Sequence, residues 1–360
     1  MTEHAIPQGA HYHTTNGPVA PSLDDADYYA YELPPERIAQ SPIPVRSEAK
    51  LLDGRGDSIV DRKVSEMPSL LEPGDIVVVN NTRVMACRYH VRRESGGAAE
   101  VFVVNDLGDD SWEAMVRPSA RLRRGEVLYF EGKPLFRLVD DRPRGVDHLV
   151  MRKVSVLDAQ LFASVGETPL PPYIKEELRD PERYQTVFSA SAGSVAAPTA
   201  GLHFDESTLT RFQLHGIPIH TVDLRVGLGT FIGLTKPTLS EHHMHTERYD
   251  VPEETWDAVK SARRVVAIGT TVVRALESVE VRGERSGATD LFIRPGFRFR
   301  AVDLLMTNFH APHSTLLVLL EAFYGSRWKS LYAYALAHDY RFLSFGDATL
   351  LDLAHPRSPK

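Results

Sequence analysis

The feature that most constrains the fold of this chain is a change of hydrophobic period partway along it. Asp75–Val79 (DIVVV) is an unbroken β-branched run behind Pro73-Gly74, the pattern of a strand buried on both faces. From about Met85 to Val154 short apolar alternations take over, at Glu100–Val104, Trp112–Val116, Val127–Phe130 and Leu135–Val139. Gly96-Gly97, Asp109-Asp110, Arg124-Gly125 and Gly132-Lys133 part them, at intervals that suit a small antiparallel barrel or sandwich. After Ser155 helix and strand patterns alternate again. Glu206–His215 reads as a helix stopped by Gly216, Ile217–Val222 as a strand and Glu253–Ala262 as a helix. Val265–Ile268 then reads as a buried strand, and Thr271–Val279 as a helix capped by Thr270. Leu291–Ile293 reads as a strand, and Ser314–Phe323 and Trp328–His338 as helices.

The expected fold class is therefore α/β: a mixed α/β body, residues 28–84 and 155–360, with an inserted small antiparallel β-barrel domain at 85–154. Glu36–Gln40 reads as a short helical turn behind Pro34-Pro35, and order is expected to begin near Tyr28. Residues 1–27 read as a flexible N-terminal extension.

Charge sets limits on partners. The formal net charge is −7, yet residues 1–33 carry five acidic side chains and no Lys or Arg. The remainder is close to neutral, so local basic clusters decide whether nucleic acid binds. The densest cluster is Arg117, Arg121, Arg123 and Arg124, with Arg294, Arg298 and Arg300 further on. These are solvated faces or phosphate contacts. Cys87 is the sole cysteine, which excludes an internal disulfide or a cysteine-rich metal site and points to a reducing, cytoplasmic setting. No apolar run of about 18 residues occurs, so no membrane partner is expected. The N-terminus lacks the basic-then-apolar order of a secretory signal.

Four stretches carry reactive groups instead of packing periodicity: Val195–Phe204 (VAAPTAGLHF), Val226–Phe231 (VGLGTF), Ile268–Arg274 (IGTTVVR) and Thr307–Leu317 (TNFHAPHSTLL). Together they suggest one site built from loop ends. IGTTVVR places Gly269, Thr270 and Thr271 between a strand and a helix, where exposed N–H groups favour a carboxylate or phosphate. The plainer alternative is a capped helix whose Arg274 and Glu277 form an ordinary ion pair. Gly227-x-Gly229 lacks the third glycine and the acidic partner of a dinucleotide site. A GxSxG elbow and a phosphate-loop lysine motif are also absent. The cluster Glu241–Glu247 (EHHMHTE) has the density for a metal site through His242, His245 and Glu247 but not the HExxH order. Histidines that position a polar substrate or move protons are the competing reading.

These strings resemble the S-adenosylmethionine:tRNA ribosyltransferase-isomerase family of queuosine biosynthesis. The likeness is carried by YELPPERIAQSPIPVRSEAKLL (31–52), PGDIVVVNNTRV (73–84), LPPYI (170–174), RYQTVF (183–188) and GSVAAPTAGLHF (193–204). It continues through VGLGTF (226–231), HHMHTERY (242–249), AIGTTVVRALES (267–278), LFIRPGFRFRAVDLLMTNFHAPHSTLL (291–317) and YRFLSFGDATLL (340–351). The resemblance implies an α/β body with an inserted barrel, and S-adenosylmethionine used as a consumed co-substrate. Its ribosyl unit passes to 7-aminomethyl-7-deazaguanine at the tRNA wobble position and isomerises, giving epoxyqueuosine and releasing adenine and methionine. It further implies His203, His245 and His310 as the candidate proton-transfer groups. Thr199, Gly201, Arg225, Gly229, Thr230, His242, Glu247, Gly269, Thr270, Thr271, Arg274 and Asn308 become candidates for substrate binding. The barrel arginines Arg117, Arg121, Arg123 and Arg124 become candidates for tRNA contact. No metal is expected, and the partners are tRNA and S-adenosylmethionine, acting on a monomer. The chain departs from the family pattern at Lys50, Val272, Ala311, Glu321 and Tyr324, which leaves altered activity or a non-catalytic binding relative as alternatives.

Overall fold

A computed structural model describes residues 21–141, 143–146, 149–227, 229 and 233–355. The α/β body is organised by a nine-stranded sheet. Its order is Ser286–Thr289, Glu247–Asp250, Ile219–Arg225, Asp75–Asn80, Arg264–Ile268, Leu304–Asn308, Ala348–Asp352, Lys50–Asp53 and Val60–Lys63. The four strands from Ile219–Arg225 to Leu304–Asn308 run parallel. Asp75–Asn80 lies in their midst and is buried along its whole length, which is why its sequence shows no alternation. On either side of the sheet two apolar clusters form. One holds Val78, Ala267, Leu276, Leu305, Leu320 and Trp328, the other Val77, Val79, Phe204, Phe212, Ile268 and Met306.

The alternating segment forms a second, antiparallel sheet. Six of its strands close into a ring: Leu149–Val156, Ser111–Arg117, Ala98–Gly108, Arg88–Arg93, Val127–Phe130 and Lys133–Leu138. Closure leaves no exposed edge in the ring. Tyr89, Val101, Val116, Leu128, Phe136 and Val154 fill the interior. Arg152 is also fully buried there. Its guanidinium donates to Asp140 Oδ1 at 2.8 Å and to the carbonyls of Ser119, Leu122 and Asp140.

Several elements differ from the sequence expectation. Leu291–Ile293 is not a strand; the edge of the sheet is Ser286–Thr289, and Leu291–Ile293 packs unpaired against the core. An apolar triplet reports burial and not pairing. Thr270 does not cap the Thr270–Arg282 helix, because Gly269 occupies that position with no side-chain cap. The strand expected at Ile217–Val222 is Ile219–Arg225, set by its register with Val77–Asn80. The turn behind Pro34-Pro35 is a 3-10 turn at Pro35–Arg37. Chain order also starts before Tyr28: Asp24 accepts from the Ser240 backbone and hydroxyl, and Ala26 N–H donates to the Pro237 carbonyl. Residues 1–20 of the expected flexible extension lie outside the described residues.

Three of the departures from the family pattern have partners. Glu321 Oε2 accepts from the Trp328 indole at 2.7 Å, Tyr324 donates to the Gly54 carbonyl at 2.6 Å, and Lys50 donates to the His338 carbonyl at 3.0 Å. Val272 is wholly buried among apolar side chains, and Ala311 packs on the same core. Val272 and Ala311 thus serve packing, and the other three are held by hydrogen bonds.

Candidate active site

In a parallel sheet the side chains and loops beyond the carboxyl ends of adjacent strands share one crevice. Here those ends bring Gly269 and the Asn308–His310 segment side by side, and Gly269 N–H donates to the Met306 carbonyl at 2.7 Å. Gly269 has φ 93°, a conformation that disfavours any residue with a Cβ. A Cβ there would also sit 3.4 Å from that of Ala200. The IGTTVVR turn thus packs on the Thr199–His203 turn of VAAPTAGLHF.

The contact assembles a polar cluster. Thr199 donates its hydroxyl to Asn308 Oδ1 at 3.1 Å, and Asn308 Nδ2 lies 3.1 Å from His203 Nε2 and 3.2 Å from the Leu343 carbonyl. His310 follows two residues on. Its Nε2 is 3.2 Å from the Thr307 hydroxyl, its backbone N–H donates to Tyr332, and its carbonyl accepts from Tyr31 at 2.5 Å. Both histidines are buried. Burial pushes each imidazole down to about 3, with the charges of Arg341 and Arg46 adding to the effect at His203. Both rings are therefore neutral at physiological pH. Thr271 Oγ1 is buried without a hydrogen-bond partner among the described residues, at the first turn of the Thr270–Arg282 helix.

A second group lies along the same helix. Arg274 and Glu247 form a buried ion pair, Glu247 also accepts the Gly227 N–H at 2.9 Å, and Arg274 reaches the Thr289 carbonyl. Gly229, Met244, His245, Leu291–Ile293 and Thr315 line the narrow recess beside this pair. A Cβ at Gly229 would lie 2.0 Å from the His245 ring, so the loop approaches that imidazole closely only because it is glycine.

The sequence candidates thus fall into sets. Thr199, His203, Asn308, His310 and the Gly269 turn form one cluster, and Gly229, His245, Glu247 and Arg274 the adjoining one. Gly201 is buried against Thr186. His242 packs against Phe292, with ring centroids 5.3 Å apart. Arg225 belongs elsewhere: it pairs with Asp223 at 3.4 Å and lines a surface recess with Arg248, Asp250 and Ser286–Ala288. Thr230 lies outside the described residues. The metal alternative gains no geometry, since no three His, Cys, Asp or Glu side chains converge among the described residues. The ordinary Arg274–Glu277 pair does not form either. Glu277 accepts the backbone N–H groups of Arg300, Ala301 and Val302 at 3.0–3.2 Å. Arg117, Arg121, Arg123 and Arg124 are all exposed on the barrel.

Sequence reasoning missed the groups that hold the histidines: Thr307, Tyr31, Tyr332 and the Leu343 carbonyl. Tyr31 and Leu343 lie in recognisable strings, yet their hydrogen bonds join segments about 280 and 35 residues apart in sequence. No helix among the described residues is long and apolar enough to cross a membrane.

The chain matches the model of a family described as queuosine biosynthesis protein over residues 26–351. It is 43% identical over 340 residues to the S-adenosylmethionine:tRNA ribosyltransferase-isomerase of Carboxydothermus hydrogenoformans, covering 91% of this chain and 99% of that one. The protein of the same name from Synechococcus elongatus is 42% identical, with 92% and 97% covered. Among solved structures, the S-adenosylmethionine tRNA ribosyltransferase of Thermotoga maritima superposes with a TM-score of 0.51 at 32% identity, covering 91% and 99%.

Proposed function

This chain belongs to the queuosine biosynthesis protein family, and on that premise we propose that it is an S-adenosylmethionine:tRNA ribosyltransferase-isomerase. It transfers the ribosyl unit of S-adenosylmethionine to the aminomethyl group of 7-aminomethyl-7-deazaguanine at the wobble position and isomerises it. The products are epoxyqueuosine-tRNA, adenine and methionine. The observation that carries this reading is identity above 40% along nearly the whole length of relatives bearing that name.

The chemistry asks for four things, and the site has groups suited to each. The sulfonium acidifies the neighbouring 5′ carbon, so a proton must be taken near it. Adenine leaves more readily when a ring nitrogen receives a hydrogen bond or proton, a contribution of roughly 10²–10⁴ in rate for a well-placed group. His203, His310 and His245 are the groups we assign to these two tasks. The methionine carboxylate needs donors, and the Gly269–Thr271 helix start, with its Thr271 hydroxyl unpartnered among the described residues, supports that role. The tRNA backbone needs cations, which Arg117, Arg121, Arg123 and Arg124 supply from the barrel. Thr199, Gly201, Gly229, Thr230, His242, Glu247, Arg274 and Asn308 complete the proposed binding surface, and Arg225, in its separate recess with Asp223, is left out of it. Glu247 and Arg274 enter it as a pair whose charges offset one another.

The reading needs no metal, because the sulfonium already activates the sugar carbon that a Lewis acid would otherwise polarise. We place the protein in the cytoplasm, acting as a monomer on tRNA. Incubation with S-adenosylmethionine and precursor-modified tRNA tests it, with adenine followed by chromatography. Stoichiometric adenine and methionine are expected. Tight tRNA binding with no adenine release would show a non-catalytic relative instead.

A further inference from the structure

Asn308 sits at the end of a central strand with all of its amide contacts specified. Its Oδ1 accepts the Thr199 hydroxyl at 3.1 Å, and its Nδ2 faces the Leu343 carbonyl at 3.2 Å. A carbonyl oxygen only accepts, so the nitrogen of the amide must point at Leu343 and the oxygen at Thr199. The second hydrogen on that nitrogen is directed at His203 Nε2, 3.1 Å away. An N–H aimed at a ring nitrogen requires a lone pair there. The proton of the neutral ring then resides on Nδ1, which has no hydrogen-bond partner among the described residues. We propose that Asn308, held by Thr199 and Leu343, is a positioning residue that locks His203 as the neutral Nδ1–H tautomer. His203 then presents a hydrogen-bond donor to substrate and not a base.

The electrostatic setting agrees. Arg46 and Arg341 are the charged groups that act on His203, both cationic, and both oppose an imidazolium together with burial. Neither a carboxylate nor any other anion figures among those influences. A neutral donor of this kind suits a hydrogen bond to a leaving-group nitrogen. Proton abstraction would then fall to another group of the site. That consequence rests on the proposed function, whereas the tautomer rests on the hydrogen bonds alone.

The test is a long-range ¹H–¹⁵N correlation spectrum of the full chain labelled at histidine nitrogens, with His203→Gln identifying the His203 signals. A protonated Nδ1 and a pyridine-like Nε2 from pH 6 to 8 are expected. In Asn308→Asp the carboxylate accepts instead of donating, so the proton should move to Nε2 and the midpoint of titration should rise by at least about one pH unit. An Nε2–H ring in the wild type, or an unchanged tautomer in Asn308→Asp, would overturn the proposal. A merely structural asparagine would lower stability and leave the tautomer alone. If Asn308→Asp does not fold, the wild-type spectrum still decides. With S-adenosylmethionine and substrate tRNA, Asn308→Asp should lower kcat for adenine release about tenfold or more, with KM within about twofold. Absence of adenine release in the wild type would defeat the proposed function and leave the tautomer result standing.

Discussion

Arg274 on the Thr270–Arg282 helix and Glu247 on the Glu247–Asp250 strand are each more than nine-tenths buried and are ion-paired to one another. The pair ties the first turns of the helix that begins at Gly269 to an outer strand of the sheet. Its rupture leaves one charge buried alone, which costs about 3–5 kcal/mol, whereas replacing both partners with apolar groups often costs little. Arg274→Met alone should therefore lower the melting temperature sharply. Arg274→Met combined with Glu247→Leu should recover more than half of the loss. A single variant that melts within a degree or two of wild type would show that the pair does not stabilise the fold.

Glu277 is the buried acid of that helix, and it fastens the Arg300–Val302 backbone by accepting three N–H groups. Glu277→Gln replaces one acceptor oxygen with a donor amide that faces the Arg300 N–H. A loss of about 1–3 kcal/mol is expected in urea unfolding, with a larger loss for Glu277→Ala. Equal stability of the Gln variant would mean that the segment finds other partners.

Stability should depend on pH through three buried groups. His203 and His310 titrate near 3 in the fold, below their ordinary value of 6.5, so the unfolded chain binds their protons first. Their contribution is present above pH 6.5 and is lost as pH falls toward 3. Burial raises Glu277 to about 7 from 4.5, against the pull of its N–H donors. Its contribution is present below pH 4.5 and is lost as pH rises through 7. Between pH 4.5 and 6.5 the two histidines outweigh the one glutamate. Net stability should then rise with pH by up to about 1.4 kcal/mol per unit. Urea midpoints at pH 5 and 6 measure this, and a flat profile would contradict the assignment of all three groups.

His203→Asn and His310→Asn should each reduce adenine release roughly 10²-fold or more if they serve the chemistry. Each lies in a loop with few apolar neighbours in sequence, yet both are buried and hydrogen-bonded. A loss of about 1 kcal/mol of stability is therefore expected as well. The decisive measurement is turnover by the folded fraction at a temperature well below melting. Near-normal release by both variants would shift the proton-transfer role to His245.

Changing Arg117, Arg121, Arg123 and Arg124 together to Ala should weaken tRNA binding and flatten its salt dependence. Each lost phosphate contact lowers the slope by about one unit. Among the described residues Arg124 has only an exposed pair with Asp141 at 3.4 Å to give up, so little stability should be lost. An unchanged slope would move the nucleic-acid surface to another basic region, such as Arg294–Arg300.

The sequence by itself determined the two architectures and the strings that build the site. Period-two alternation from Glu100 to Leu138 marks half-buried barrel strands, and the uniform DIVVV run marks a strand covered on both faces. Each pattern is a local record of which faces meet water. Short strands such as Lys50–Asp53, Glu247–Asp250 and Ala348–Asp352 left no such record, because four or five residues are too few to show a period. Glycine at 269 and 229 was visible, but the positive φ that favours it at 269 and the His245 ring that requires it at 229 were not. Only the tertiary structure decided that Arg274 pairs with Glu247 and not with Glu277, three residues ahead on its own helix. It alone decided that Asn308, Thr199 and Leu343 converge on His203. Hydrogen bonds and ion pairs are set by distances between segments far apart in the chain, and those distances exist only once the sheet and its connecting turns have closed.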